Sequence, residues 1–317
     1  VRATAFVIIA GLCLAVAGCS AGDGGSGGDG FGVTVAGGFG EEPEIRVGDG
    51  DPAGELRVDV LSGGDGEDVV DPGEFVLANY LGQTWAPDAE GDVNVVENSF
   101  TTGAPVGFPV GVGAVLPGWD EGLAGQRVGS RVLVSIPPAL GYGERSTGSI
   151  PGNSTLLYVF DLVAAFGEDQ GVSGEPVEAL PDGLPAVSGE GAAEPVVEFG
   201  STAWPVEESG ATLLVRGDGA EFGDNLVVKV LTASYSTGEV LYSSWRETPV
   251  AIPVDGTGAL PGLADALAGA RVGSRVLVRV SVDDNTEEPM DMMGMAEPLA
   301  PTPGDPLAIV VDVIGTY

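Results

Sequence analysis

The side chains in this sequence that could build a reactive or binding site are aromatic. There is no histidine, Lys229 is the only lysine, and the net charge is −35. That composition removes every Ser-His-Asp or Cys-His arrangement and any imidazole-ligated zinc. It also removes the basic face that nucleic acid needs, so no nucleic-acid partner is expected. What remains, beside the carboxylates, is four tryptophans, six tyrosines and ten phenylalanines, Trp119 among them. Phenols with an ordinary pKa near 10 are poor proton shuttles at neutral pH. They serve instead as apolar walls with a hydroxyl to offer. No metal and no cofactor is expected.

Trp119 lies in the stretch around which the chain is organised. Residues 116–134, LPGWDEGLAGQRVGSRVLV, return at 260–278 as LPGLADALAGARVGSRVLV, with fourteen of nineteen positions identical, an internal duplication. Pro117 and Gly118 mark a turn, Trp119 and Leu123 share one face at i, i+4, and Gly125 closes a helix of barely two turns. Val132, Val134 and Ile136 then alternate as a strand. So short a helix must lie against a sheet, with Trp119 pointing into it. In the second copy that position is Leu263.

The elements that position these residues read as two units. An apolar run from Ala3 to Ala17 follows Arg2 and ends in Val16, Ala17, Gly18, Cys19. The run is too short to span a membrane and has the form of a secretory leader. Its end resembles the bacterial lipobox, which implies lipidation of Cys19 and anchoring on the extracytoplasmic face of the cell membrane; the bland alternative is an ordinary signal peptide. Cys13 would be lost with the leader, leaving no disulfide. The layout expected is a signal peptide over 1–19, a flexible Gly/Asp-rich tether over 20–42, a first domain over 43–166, an acidic linker over 167–194 and a second domain over 195–317.

In the first domain, residues 74–80 alternate and Gly82 ends the run, a loop with Asp88, Glu90, Asp92 and Asn94 exposed follows, and Leu156, Tyr158, Phe160 and Leu162 alternate again. Strands around one short helix make an α+β domain. The residues ANYLG around Tyr80, Phe108 to Gly111, VLPGWDEGL, Ile136-Pro137, LGYGE around Tyr142, and Ile150-Pro151 before NSTLLYVFDL resemble FKBP-type peptidyl-prolyl cis-trans isomerases. The resemblance covers nearly all of 74–166. It implies a half-barrel of antiparallel sheet wrapping a short helix, and the duplicated core makes that two in tandem, joined by a flexible linker. In the first, Trp119 floors an apolar pocket walled by Tyr80, Val115, Leu116, Tyr142, Ile150 and Tyr158, with Phe108 close behind. Proline-containing polypeptides are the implied substrates, and macrolides the implied inhibitors.

Such a pocket needs no nucleophile. Rotation about an Xaa-Pro amide faces a barrier of ~18–20 kcal/mol, and a dry site lowers it by binding the twisted amide better than the planar one. Tyr80 and Tyr142 are the hydroxyls expected to position substrate carbonyls. One departure stands out: where the family carries an aromatic followed by Asp, Ser, Ser, this chain offers Val96, Glu97, Asn98, Ser99. Val96 would remove an aromatic wall, and Glu97 would carry the carboxylate one methylene further, predicting a slower enzyme and a weaker macrolide binder. The second domain has Val230 for Tyr80, Leu263 for Trp119 and an acidic, Pro-rich loop in place of 142–150, and reads as a degenerate copy. The expected function is an extracytoplasmic isomerase assisting the folding of exported proteins; the alternative is a lipoprotein that only binds peptides or a partner. The cluster Met290, Met292, Met293, Met295 reads as a loop tip rather than a cuprous site, and the acidic runs 48–51 and 64–68 lack the spacing of a calcium loop.

Overall fold

The computed structural model describes residues 32–200, 208–254, 260–284 and 304–317. The leader, Cys19 and the methionine cluster lie outside the described residues. The first unit opens with a hairpin, β1 (Val33–Ala36) and β2 (Glu44–Val47), followed by β3 (Arg57–Ser62), β4 (Phe75–Thr84), β5 (Val95–Asn98), β6 (Val106–Pro109), the helix α1 (Pro117–Leu123), β7 (Arg131–Ile136) and β8 (Leu156–Phe166). Apart from the hairpin these strands form one antiparallel sheet in the order β3-β7-β8-β4-β5, with β6 also on β4. The helix lies across its concave face. Pro117 starts α1, where its missing N–H costs nothing, and Gly125 at φ +79° ends it. Two glycines set the distance to the sheet: a Cβ on Gly118 would stand 2.4 Å from Ile136, and one on Gly122 would stand 2.9 Å from Val134.

The second unit repeats this plan. It runs through β9 (Glu175–Pro176), the hairpin β10 (Ala186–Ser188) and β11 (Val196–Glu198), β12 (Gly210–Arg216), β13 (Asn225–Ser234), β14 (Val240–Ser243), β15 (Val250–Pro253), α2 (Leu263–Leu267), β16 (Arg275–Val280) and β17 (Leu307–Thr316). Its sheet order, β14-β13-β17-β16-β12-β9 with β15 on β13, matches the first strand for strand, with β9 added at the edge. Phe75 and Leu77 of the first unit pack with Val227 and Ile314 of the second.

Three expectations are corrected. The tether assigned to 20–42 holds, from Val33 onward, the strand β1, which pairs Val35 with Ile45 and buries Val33 against Leu133, Leu157 and Val159 on the back of the sheet. The linker assigned to 167–194 holds β9 and β10, and Lys229 Nζ donates to the carbonyls of Glu168 and Gln170 at 3.0 and 2.8 Å. Glycine content concealed both hairpins, because two valines suffice for a strand once they have a sheet to cover. Gly82 does not end β4 but sits inside it, opposite Tyr158; a Cβ there would meet the Tyr158 ring at 2.2 Å.

The hairpins are tied down by a duplicated buried ion pair. Arg131 and Asp161 meet at 2.6 and 2.8 Å, Arg131 also donates to the carbonyls of Gly37 and Glu41, and the Gly40 amide donates to Asp161. In the second unit Arg275 pairs with Asp312 at 2.6 Å and donates to the carbonyl of Gly189.

Candidate active site

The site is built on the concave face where β4, β8, β6 and α1 meet. Alternation along β4 brings Val76, Ala78 and Tyr80 to this face, and alternation along β8 brings Leu156, Tyr158, Phe160 and Leu162. Trp119 descends from the helix into the middle, with ring centroids 5.0 Å from Tyr80, Phe108 and Tyr158 and 4.9 Å from Phe160. Edge-to-face geometry predominates, the favoured arrangement for aromatic pairs. Phe160, which sequence reasoning placed only in a strand, is thus a member of the cluster. Its signal was the same alternation that revealed Tyr158.

The predicted residues fall into two layers. Trp119, Phe108, Ile150 and Tyr158 are buried, and Tyr158 has no exposed surface, so it backs the site rather than walling it. Tyr80, Val96, Val115, Leu116 and Tyr142 are half-buried and form the accessible layer, packed on the first. Glu97, also half-buried, completes it and accepts a hydrogen bond from the Tyr80 hydroxyl. The register along residues 96–99 is held by two bonds: the Tyr80 amide donates to Ser99 Oγ at 2.7 Å, and Asn98 caps a 3-10 turn through the Phe100 amide at 3.0 Å.

Two loops frame the entrance. Asp120 accepts from the amides of Gly111 and Gly113 at 2.7 and 2.8 Å, and so holds the segment leading to Val115 and Leu116. Asn94, expected to be exposed, is buried and donates to the carbonyl of Ser149 at 3.0 Å, tying the loop after β4 to the loop that carries Tyr142 and Ile150.

The buried layer of the site is apolar and poor in acceptors. Trp119 Nε1 and Tyr158 Oη are buried with no hydrogen-bond partner among the described residues. Each such group costs about 1–3 kcal/mol. Burial, and after it the Glu97 carboxylate, pushes the Tyr80 hydroxyl up to about 12 and raises Tyr142 and Tyr158 as well. Burial likewise raises Tyr235, Tyr242 and Tyr317, so all six tyrosines hold their protons more tightly than the free phenol. The folded chain then binds more protons than the unfolded chain once pH passes 10, and its stability falls as pH rises from 10 toward 12. Tyrosinate absorbance should stay low until the protein unfolds in that window, and then rise in a single cooperative step. Smooth ionisation of most phenols near pH 10 in folded protein would contradict the burial described here.

The second unit carries an aliphatic side chain at each of the five aromatic positions. By strand register and helix alignment, Tyr80, Phe108, Trp119, Tyr158 and Phe160 correspond to Val230, Ile252, Leu263, Ile309 and Val311, all buried in one core. The serine is retained, since the Val230 amide donates to Ser244 Oγ at 2.8 Å. One aromatic does reach that face, which sequence reasoning had stripped of them: Tyr242, partly buried, occupies the place of Glu97 and hydrogen-bonds Glu247.

Residues 66–163, which include every site residue from Tyr80 to Tyr158, match the model of the FKBP-type peptidyl-prolyl cis-trans isomerase family. An FK506-binding protein of Streptomyces anulatus is 36% identical over 126 residues, 39% of this chain and 97% of that protein. Peptidyl-prolyl cis-trans isomerase FKBP15-1 of Arabidopsis thaliana is 46% identical over 97 residues, 30% of this chain and 60% of that protein. The crystal structure of FkpA from Escherichia coli covers 35% of this chain and 48% of its own, at 34% identity and a TM-score of 0.30. With 97% of the Streptomyces relative aligned at 36% identity, and the family model matching across the aromatic cluster, the chain belongs to the FKBP-type peptidyl-prolyl cis-trans isomerases.

Proposed function

We propose that the chain's isomerase activity resides in the first unit alone, that the two units are tandem half-barrels of one family, and that the second keeps the fold without the site. The observation that carries this is the replacement of all five aromatics by aliphatics at matched positions. An aromatic floor with half-buried walls grips a proline ring and strips water from the flanking amide, which disfavours the charge-separated planar form relative to the twisted one. Tyr142 stands at the rim and offers its hydroxyl to a carbonyl of the bound segment, while the Tyr80 hydroxyl, its one proton held by Glu97, is left to accept from an amide of that segment. Aliphatic side chains packed into the same space leave neither a floor for the ring nor a donor.

A protease-free exchange assay on a prolyl tetrapeptide tests this directly. The whole chain accelerates isomerisation, and a macrolide of the FK506 class, whose binding gives several relatives their names, inhibits it. Turnover that survives when the first site is disabled would place activity elsewhere. Val96 leaves one wall without an aromatic, so inhibitor binding should strengthen in Val96→Phe.

We also place the protein on the extracytoplasmic face, anchored by lipid at Cys19 and acting on exported polypeptides near the membrane. The support is the leader-like run ending in Gly18-Cys19. Two acyl chains supply stable anchoring where one does not. Membrane fractionation of wild type and Cys19→Ala decides it, since identical partitioning would refute the anchor.

A further inference from the structure

Glu97 is a carboxylate set at the accessible layer of an aromatic site, with no ion-pair partner among the described residues. The described ion pairs are Arg46 with Glu44, Arg57 with Glu55, Arg131 with Asp161, Arg246 with Glu194, Arg271 with Glu221 and Arg275 with Asp312; none involves Glu97. Its resolved partner is neutral, the Tyr80 hydroxyl. Half-buried, it acts through less water than a surface carboxylate, and its field reaches three phenols, Tyr80, Tyr142 and Tyr158. The loop that Asn94 ties to the rim carries Asp88, Glu90 and Asp92, the last two exposed. The whole chain has 47 acidic residues against 12 basic ones. A site of this kind repels an acidic segment at long range and, at contact, offers a cation both a carboxylate and the faces of tyrosine rings.

We infer that this site selects proline-containing segments that carry a lysine or arginine next to the proline. The inference rests on the isomerase reading and names the substrate class of that same site. The side chain of the neighbouring residue meets Glu97 and the rim tyrosines while the proline ring covers the aromatic floor. The second unit, with Tyr242 at the position of Glu97, has lost this carboxylate together with the floor.

The test uses the full chain and tetrapeptides that differ only in the residue before proline: Lys, Leu or Glu. At about 20 mM salt the specificity constant for the Lys-Pro peptide should exceed that for Glu-Pro by roughly tenfold, with Leu-Pro between, and the spread should shrink to about threefold or less at 0.5 M or so, where the Debye length falls below about 5 Å. Glu97→Gln should compress the Lys/Glu ratio, and Glu97→Asp, which keeps the charge, should retain it; the ratio is read rather than the absolute rate, because Glu97 also holds Tyr80. Glu90→Gln with Asp92→Asn should weaken the salt dependence alone. Binding of the same peptides by calorimetry separates the two ways of failing. Lys-Pro binding no tighter than Glu-Pro overturns the inference whether or not any peptide is turned over. Absence of turnover together with tighter Lys-Pro binding upholds the selectivity and refutes the isomerase reading.

Discussion

Trp119→Leu should lower the specificity constant of the whole chain for prolyl isomerisation by about 100-fold or more, because a site that works by fit loses on that order for a displacement of about 1 Å. Leucine is chosen because the duplicated helix already carries it at Leu263, so the backbone tolerates it. The packing around it does not. Trp119 touches four aromatic rings at centroid distances near 5 Å, and a leucine there leaves a void between Tyr80, Phe108, Tyr158 and Phe160. The stability cost should stay at about 3 kcal/mol or below, under the 3–5 kcal/mol typical of truncating a buried tryptophan to alanine. Thermal unfolding of the variant separates lost fold from lost site. Leu263→Trp should create no activity, since one ring among aliphatics is no floor, and should cost about 1–3 kcal/mol in overpacking. A folded Trp119→Leu chain retaining a tenth or more of wild-type activity would mean that the first cluster is not the catalytic one.

How far the sequence could be read follows from which interactions are local. The short helix, its glycine stop and the alternation of β8 are set by spacing within a few residues, and they were legible. So was Tyr80, one strand away. Glu97 was legible only by counting across loops of variable length; its register is held by a bond from the Tyr80 amide to Ser99, a contact between residues 19 apart. The duplication contained a clue, since the matching amide of Val230 meets Ser244, and the pairs Ser99-Phe100 and Ser244-Trp245 open equivalent turns. The hairpins were missed because each is short, glycine-rich and given meaning only by the sheet it covers. Here too a signal lay in the repeat. Gly37 stands six residues before Pro43 with Glu42 between them, and Gly189 stands six before Pro195 with Glu194 between them. Equal spacing in two copies argues for a built loop rather than a tether.

Asp161→Ala should destabilise the first unit by about 3–5 kcal/mol, the range for removing one partner of a buried ion pair, and so exceed the effect of truncating any single aliphatic residue of the hairpin. The cause is not the loss of an attraction so much as what is left behind. Arg131 is 1% exposed, and without Asp161 its charge is held among Leu133, Val159 and backbone with only the carbonyls of Gly37 and Glu41 to meet it. An apolar replacement of both partners removes that stranded charge, and in many proteins it is neutral. Here it should still cost about 1–3 kcal/mol, because those two carbonyls and the Gly40 amide lose their partners in a part-buried site. Arg131→Met with Asp161→Leu should therefore recover some but not all of the loss, and hydrogen exchange should quicken first in residues 33–47, the hairpin that the pair clamps to the sheet. The second unit offers an internal comparison: Asp312→Ala should loosen residues 186–198 and leave residues 33–47 protected. If Asp161→Ala costs less than about 1 kcal/mol, or if exchange quickens evenly along the first unit, the buried pair does not anchor the hairpin. The hairpin would then be held by the packing of Val33, Val35, Ile45 and Val47 on the back of the sheet.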